Sequence, residues 1–347
     1  MRNSMRQSSP ISSLAPGAGL RIQGVLAVAL TFCATLLAPM PALAADDAYP
    51  SKPIKVTVPF PPGGSSDTAA RILADGMSKQ LKQTLVVENR AGAAGTIGIA
   101  SVVRAQPDGY NLGVGPVGGT IIGRLIGMKV PYQPQDVVPI ANIGSLPLVV
   151  AVNKDLPVSN IKELVALAKS KPGSLSYGTS GAGTPGHLVF EYFKKIANLD
   201  IVHIPYKGDS PLTSDLIGGQ VPIGILTGPA AKAQLSNPKL KFLAVSSAQR
   251  YPQMDKIPTL VESGYPDLNI EIWNLLIAPA KTDPAILARL NTSMNQVLKE
   301  QDTVSRLDAQ GYLPPVPMSL EQAKAFVETD RKKWETIVKT TGVTIGQ

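Results

Sequence analysis

An α/β fold with largely parallel sheets is the architecture this chain predicts, on three observations. Segments of strand-like alternation and segments of helical i, i+3, i+4 periodicity follow one another almost throughout. A strand, a turn rich in small residues and an amphipathic helix recur near residues 54–81 and again near 174–196. Each such turn aims the free N–H groups of a helix start away from the strand, so the chain reads as two sub-structures facing one anion and closing by hinge motion.

The first strand is Ile54, Val56, Val58 and Phe60 alternating with Lys55, Thr57 and Pro59. Phe60-Pro61-Pro62-Gly63-Gly64-Ser65-Ser66-Asp67 follows, then a helix with Ala70, Leu73, Met77 and Leu81 on one face and Ser66 or Asp67 as its expected N-cap. Two glycines there let a ligand approach the backbone, although turn geometry alone also favours Gly, Pro and Ser. Residues 84–88 read as a strand, 89–95 as a glycine-rich loop before another helix, Pro107-Asp108-Gly109-Tyr110 as a turn and 111–115 as a strand. Leu146 to Val152 is a continuous apolar run of buried-strand type. The helix over 161–170 is capped by Asn160 with Glu163 three residues on. Residues 174–178 form the next strand, 179–186 the second glycine-rich loop and 188–196 a helix presenting Val189, Phe193 and Ile196. Further strands are expected at 242–246 and 269–278, a helix opening at Asp283-Pro284, and a last helix behind the capping box of Ser319 and Gln322.

Several chemistries lack their residues. Gly181-Ala182-Gly183-Thr184-Pro185-Gly186 matches the spacing of a dinucleotide loop, but Asp200 precedes the apolar stretch 201–204 instead of closing it. Gly178-Thr179-Ser180-Gly181-Ala182 resembles a nucleophile elbow, yet His187 and His203 are the only histidines and none follows the later acids. An exported serine hydrolase is the weaker alternative. Two histidines sixteen residues apart make no metal-binding spacing, so neither a metal nor a cofactor is expected. Ser180, Gly181, Gly183 and Thr184 read better as donors to an anion at a helix start, with Pro185 near the first helical position and His187 structural in its first turn. Lys207 sits in a turn, where it either approaches the anion or is simply solvated.

The N-terminus carries Arg2, Arg6 and Arg21 with no acid, then an apolar run over 25–38 and Pro39-Met40-Pro41-Ala42-Leu43-Ala44. That pattern predicts a signal peptide at 1–44 and an exported mature protein. Cys33, the only cysteine, falls inside the leader, so the mature chain has no disulfide framework. Net charge is +8, three units of it in the leader arginines. Scattered lysines and few aromatics argue against nucleic-acid binding, while the mild positive field favours small anions.

Seven motifs occur in order: Tyr49-Pro50-Ser51-Lys52-Pro53-Ile54, the 60–64 loop with Asp67, Val87-Glu88-Asn89-Arg90-Ala91-Gly92, Pro107-Asp108-Gly109-Tyr110, His203-Ile204-Pro205-Tyr206-Lys207-Gly208, Gly218-Gly219-Gln220-Val221, and Ile257-Pro258-Thr259-Leu260 with Glu262-Ser263-Gly264-Tyr265-Pro266. Together they resemble the tripartite tricarboxylate transporter substrate-binding receptors, the Bug family, over essentially all of the chain behind the leader. The resemblance implies a periplasmic binding protein of type II, with two α/β lobes joined by two crossing strands: 45–148 plus 272–347, and 149–271. It implies a monomeric periplasmic receptor with no catalytic residues, handing a di- or tricarboxylate, acidic amino acid or aromatic acid to membrane transporter subunits or, alternatively, to a signalling partner. Family loops that hold the carboxylate match Pro62, Gly63, Gly64, Ser65, Ser66 and Asp67 on one lobe, and Ser180, Gly181, Gly183 and Thr184 on the other. Tyr206 and Lys207 stand near them. Segments 115–120 and 225–229 depart from the family pattern, so Gly119, Thr120 and Thr227 are expected to shape the far end of the cleft for a ligand particular to this chain.

Overall fold

The computed structural model describes residues 49–345; the expected leader, with Cys33, lies outside the described residues. β1 (Ile54–Val58) leads into α1 (Ser65–Leu81), β2 (Leu85–Asn89), α2 (Thr96–Val103) and β3 (Asn111–Pro116). β2 and β3 both pair in parallel with β1, giving the order β2-β1-β3. Leu73 and Met77 of α1 enter one core and Ile99 and Ala100 of α2 another, so the two helices cover opposite faces of the sheet.

The same path is built a second time. After β4 (Val137–Asn153) and α3 (Ile161–Ser170) come β5 (Ser176–Thr179), α4 (Pro185–Ala197), β6 (Val202–Pro205), α5 (Asp209–Gly218) and β7 (Ile223–Thr227). β6 and β7 flank β5 in parallel. Phe190 and Phe193 of α4 pack on one face while Leu212 and Leu216 of α5 pack on the other. Each lobe is thus a β-α-β-α-β unit whose strand order reverses at its first strand.

α6 (Gly228–Lys232), β8 (Leu240–Val245), β9 (Glu271–Pro279), α7 (Pro284–Val297), α8 (Gln301–Ala309) and α9 (Leu320–Thr341) complete the chain. β9 pairs antiparallel with β3 and with β4 from Val137 to Pro147; β4 then continues beside β7 and β8 from Leu148 onward. These two strands carry the chain between the lobes of a two-lobe, type II periplasmic binding protein fold. β4 begins nine residues before the apolar run that predicts it. Register shifts at Pro139/Ala141 and Asn142/Gly144 interrupt the alternation there, so the first half of the strand is invisible as a period.

Capping residues sit where the local sequence places them at two helices and not at a third. Asn160 caps α3, its side chain accepting the Glu163 N–H at 2.9 Å, and Ser319 with Gln322 forms the capping box of α9. α1 corrects the expectation: Gly64 is the N-cap, and neither Ser66 nor Asp67 caps it. Asp67 sits inside the first turn and accepts the Gly63 N–H from the other side, a geometry that the residue order alone does not distinguish from capping.

α9 is fastened to the crossing strands by one buried acid. Asp330 Oδ2 accepts the indole N–H of Trp273 in β9 at 2.6 Å and that of Trp334 in its own helix at 2.8 Å. Burial raises the Asp330 pKa although the Trp273 hydrogen bond and Lys333 oppose it. Asp330→Leu leaves two buried indole donors unpaired and should cost about 2–5 kcal/mol in urea unfolding. Asp330→Asn keeps an acceptor and should cost clearly less; equal losses would show that packing, not hydrogen bonding, holds the helix.

Candidate functional site

β1, β2 and β3 end on one edge of their sheet, and β5, β6 and β7 on one edge of theirs. In open α/β sheets ligands bind in the crevice outside the carboxyl ends of the strands, where the strand order reverses. Here that is beside the ends of β1 and β5, where the two small-residue loops stand.

The β1–α1 loop presents Pro62, Gly63 and Gly64 to solvent, with Ser65 half-buried. Ser66 and Asp67 point inward. The Ser66 hydroxyl donates to Asn274 of β9 at 3.2 Å, tying the loop to a crossing strand. Asp67 accepts from the Gly63 N–H at 3.0 Å, Arg71 Nε at 3.0 Å and Asn89 Nδ2 at 2.8 Å, and Asn89 also donates to the Phe60 carbonyl. Burial would raise the Asp67 pKa, but the hydrogen bonds from Arg71, Gly63 and Asn89 outweigh it and hold the carboxyl below its usual range. Asp67 therefore shapes the loop and leaves the N–H groups of the first turn of α1 without intrahelical acceptors.

Beside it lies the β2–α2 turn, whose binding potential was not among the sequence-predicted positions although its glycines signalled a loop. Gly92 to Gly95 close a turn by the Gly95 N–H to Gly92 carbonyl bond at 3.0 Å, with Ala93 at φ +45° and Ala94 at φ +53°. Two alanines in left-handed geometry store strain at the edge. Ile97, at the start of α2, is half exposed there.

Gly119 and Thr120 belong to a wide helical turn over Gly118–Ile122 after β3. Gly119 is buried against Ile99, its carbonyl accepting the Tyr132 hydroxyl at 2.8 Å. Thr120 lines a cavity of about 300 Å³ with Arg124, Glu328, Arg331 and Glu335, and its buried hydroxyl has no partner.

In the second lobe Thr184 is the N-cap of α4 and Pro185 its first residue. Thr184 Oγ1 donates to the Gly181 carbonyl at 2.7 Å. Gly183 is packed against Ile126 and Ile345, leaving no room beside it for a ligand. Its N–H donates to His187 Nδ1 at 3.1 Å, so His187 supports the loop from the first turn of α4. The β6–α5 loop is stitched on by Tyr206 N–H to Thr179 carbonyl at 2.9 Å and Gly208 N–H to Ser180 carbonyl at 3.0 Å. Tyr206 gives its hydroxyl to Asp215, Lys207 is exposed, and Thr227 donates its hydroxyl to Asp209 at 2.8 Å. Ser180 and Gly181 are half-buried and Lys207 is exposed, whereas Thr184, Tyr206 and Thr227 give their hydroxyl protons to partners in the same lobe and Gly183 is packed by Ile126 and Ile345. Asp209, not anticipated from the sequence, is the residue that links two strand ends.

The two histidines meet beneath this loop, rings stacked at 3.9 Å between centroids. Thr179 Oγ1 donates to the Gly181 carbonyl and lies 2.7 Å from His203 Nε2, so His203 supplies the proton of that second contact. Neither imidazole is hydrogen-bonded to Ser180. Burial, and then the neighbouring His187, lowers the His203 pKa to about 4; burial also lowers that of His187. Another cavity, of about 320 Å³, lies near the crossing strands between Asn142, Ser145, Arg250, Glu271 and Leu313. Neither cavity is lined by the β1–α1 or β5–α4 loop. By their position at the carboxyl edges and their donor chemistry, the two loops are the candidate site for an anion. Among the described residues no group of three His, Cys, Asp or Glu side chains is placed to hold a metal.

Residues 69–343 match the model of the tripartite tricarboxylate transporter family receptors. The chain is 35% identical to Protein BugT of Bordetella pertussis over 322 residues, 92% of this chain and 97% of the relative. It is similar to the solved structure of Rpa4515 of R. palustris with adipate, at TM-score 0.79 and 33% identity over 85% of this chain and 99% of that one. It is also similar to MatC of Rhodopseudomonas palustris with bound malate, at TM-score 0.74 and 28% identity over 84% and 100% of the two chains.

Ala94→Gly should stabilise the protein by about 1 kcal/mol in thermal unfolding, because relief of the left-handed strain exceeds the cost of glycine's freedom in the unfolded chain; a loss of stability would show that the strain is the smaller of the two. An unfolded histidine takes up its proton near pH 6.5, but folded His203 does so only at about 4. The folded state is therefore penalised as pH falls from 6.5 towards 4. Unfolding free energies measured at pH 7 and 4.5 should converge in His203→Gln relative to wild type; an unchanged pH slope would remove His203 from the account.

Proposed function

The chain belongs to the tripartite tricarboxylate transporter family of receptors, and from that premise we propose that it is a non-enzymatic periplasmic receptor that captures a small organic carboxylate between its lobes and hands it to membrane subunits of a transporter. The observation that carries this reading is the pair of helix starts at the reversal points of two like-built lobes, α1 behind Gly63 and Gly64 and α4 behind Ser180 and Gly181, whose first N–H groups have no intrahelical acceptors. Adipate and malate in the similar structures support a carboxylate as the ligand class. The leader-like residues 1–44 support export. Commitment of both histidines to Thr179 and Gly183 supports binding without hydrolysis at Ser180.

In this reading Pro62, Gly63, Gly64 and Ser65 form one jaw with the first N–H groups of α1, and Ser180, Gly181 and Thr184 the other with the start of α4. Ser66, Asp67 and Gly183 brace the jaws, and Tyr206, Lys207, Gly119, Thr120 and Thr227 stand behind or beside them. The lobes, 45–148 plus 272–347 and 149–271, hinge about β4 and β9 in a monomer. Affinity comes from donors of both jaws reaching the carboxylate together only when the lobes close.

A thermal-shift and calorimetry panel of mono-, di- and tricarboxylates, aromatic acids and amino acids, run on residues 45–347, should yield a binder. At a hundred times its Kd the ligand adds about 2.7 kcal/mol of stability. Gly64→Val and Gly181→Val should each weaken it by about a hundredfold or more while circular dichroism stays native. Undiminished affinity in both variants would sink this site.

A further inference from the structure

We propose that Asp209 is the residue with which this receptor reads a hydrogen-bond donor on its ligand, so that the site selects small acids bearing an ammonium group over acids of the same skeleton without one. This rests on the receptor reading above and names the ligand feature that its second jaw is built to meet.

Position is the first argument. The strands run in the order β7-β5-β6. Asp209 follows the end of β6, and its Oδ2 accepts from the hydroxyl of Thr227, the last residue of β7. Its carboxylate therefore spans the carboxyl end of β5, at the reversal point and next to the Ser180 loop, to which Gly208 is hydrogen-bonded. Incompleteness is the second argument. Asp209 Oδ1 is buried and has no hydrogen-bond partner, and among the described residues no Lys, Arg or His forms an ion pair with it. The nearest cation in sequence, Lys207, is exposed.

Asp67 supplies the contrast. A carboxylate whose work is to shape a loop is saturated with donors, as Asp67 is by Gly63, Arg71 and Asn89. Asp209 has the Thr227 donors alone, and an asparagine or serine would satisfy those equally well. An unpaired buried carboxylate is costly and calls for an explanation in another state of the protein. Burial raises its pKa by disfavouring the charged form, a cost that a ligand cation beside Oδ1 would offset. A plain anion placed beside it gains nothing and, if Asp209 is ionised, is repelled. A ligand ammonium supplies a charge-assisted hydrogen bond where one is missing, while the carboxylate of the same ligand meets the helix starts.

The test compares matched pairs by calorimetry: glutarate with glutamate, succinate with aspartate, adipate with 2-aminoadipate, and propionate with alanine. In wild type the amino member of the best-binding pair should bind about ten- to a hundredfold more tightly, the worth of one hydrogen bond to a charged group. Asp209→Asn, which keeps the shape and the Thr227 contact, and Asp209→Ala should both reduce that ratio to about threefold or less while binding of the unsubstituted acid is retained or improved. Equal affinities within every pair in wild type, or a ratio unchanged in both variants, would overturn the inference. The jaw variants keep the two claims apart: if Gly64→Val and Gly181→Val abolish binding but the Asp209 variants leave selectivity unchanged, the receptor site stands and this inference falls. If the jaw variants bind normally, the site itself is wrong.

Discussion

Everything in this molecule depends on the antiparallel pairing of β4 with β9. Each lobe is a complete β-α-β-α-β unit with cores on both faces, yet the chain leaves the first lobe and returns to it along these two strands. They are hydrogen-bonded to each other where they cross, β9 also to β3 and β4 also to β7 and β8, and α9 joins the lobes a second time, Trp334 and Ile337 sharing a core with Phe190 and Phe193 of α4. Irregular register within β4, together with the Trp273–Asp330–Trp334 contact from α9, places bending and bracing in the same short region.

The edges follow from chirality. Two right-handed crossovers in succession, first outward and then back across the first strand, put one helix on each face and leave a gap between the loops that diverge. Both lobes repeat this with different residues. What differs is how each edge handles its own negative charge. The first lobe sequesters Asp67 among an arginine, an amide and a backbone donor, leaving its helix start free for a foreign anion. The second lobe leaves Asp209 half-satisfied between two strand ends. On the proposed reading, a ligand with a carboxylate at one point and a donor at another would meet both edges.

Much of this was legible from local chemistry. Alternation in 54–60, helical periodicity in 161–170 and 188–196, the caps at Asn160 and Ser319, and the small-residue loops after β1 and β5 are all consequences of neighbours within four residues. The misreadings share a cause. Gly64 rather than Ser66 or Asp67 caps α1 because Asn89, 22 residues on from Asp67, and Arg71 draw the carboxylate inward. β4 runs on through Pro139 and Gly144 because β9 supplies partners that tolerate bulges. The space beside Gly183, which the motif marks as a ligand donor, is filled by Ile126 and Ile345 from distant parts of the chain.

The sequence by itself determined the alternation of strands and helices, the positions of the small-residue loops at two helix starts and the absence of cysteine after Cys33, since these need only local spacing and residue type. Only the tertiary structure decided which polar groups in those loops are still free. Ser66, Asp67, Tyr206 and Thr227 have their hydrogen-bonding capacity taken up by Asn274, Asn89, Asp215 and Asp209, partners up to 208 residues away. A hydrogen bond is a property of two atoms in space, and residue type along the chain specifies just one of them.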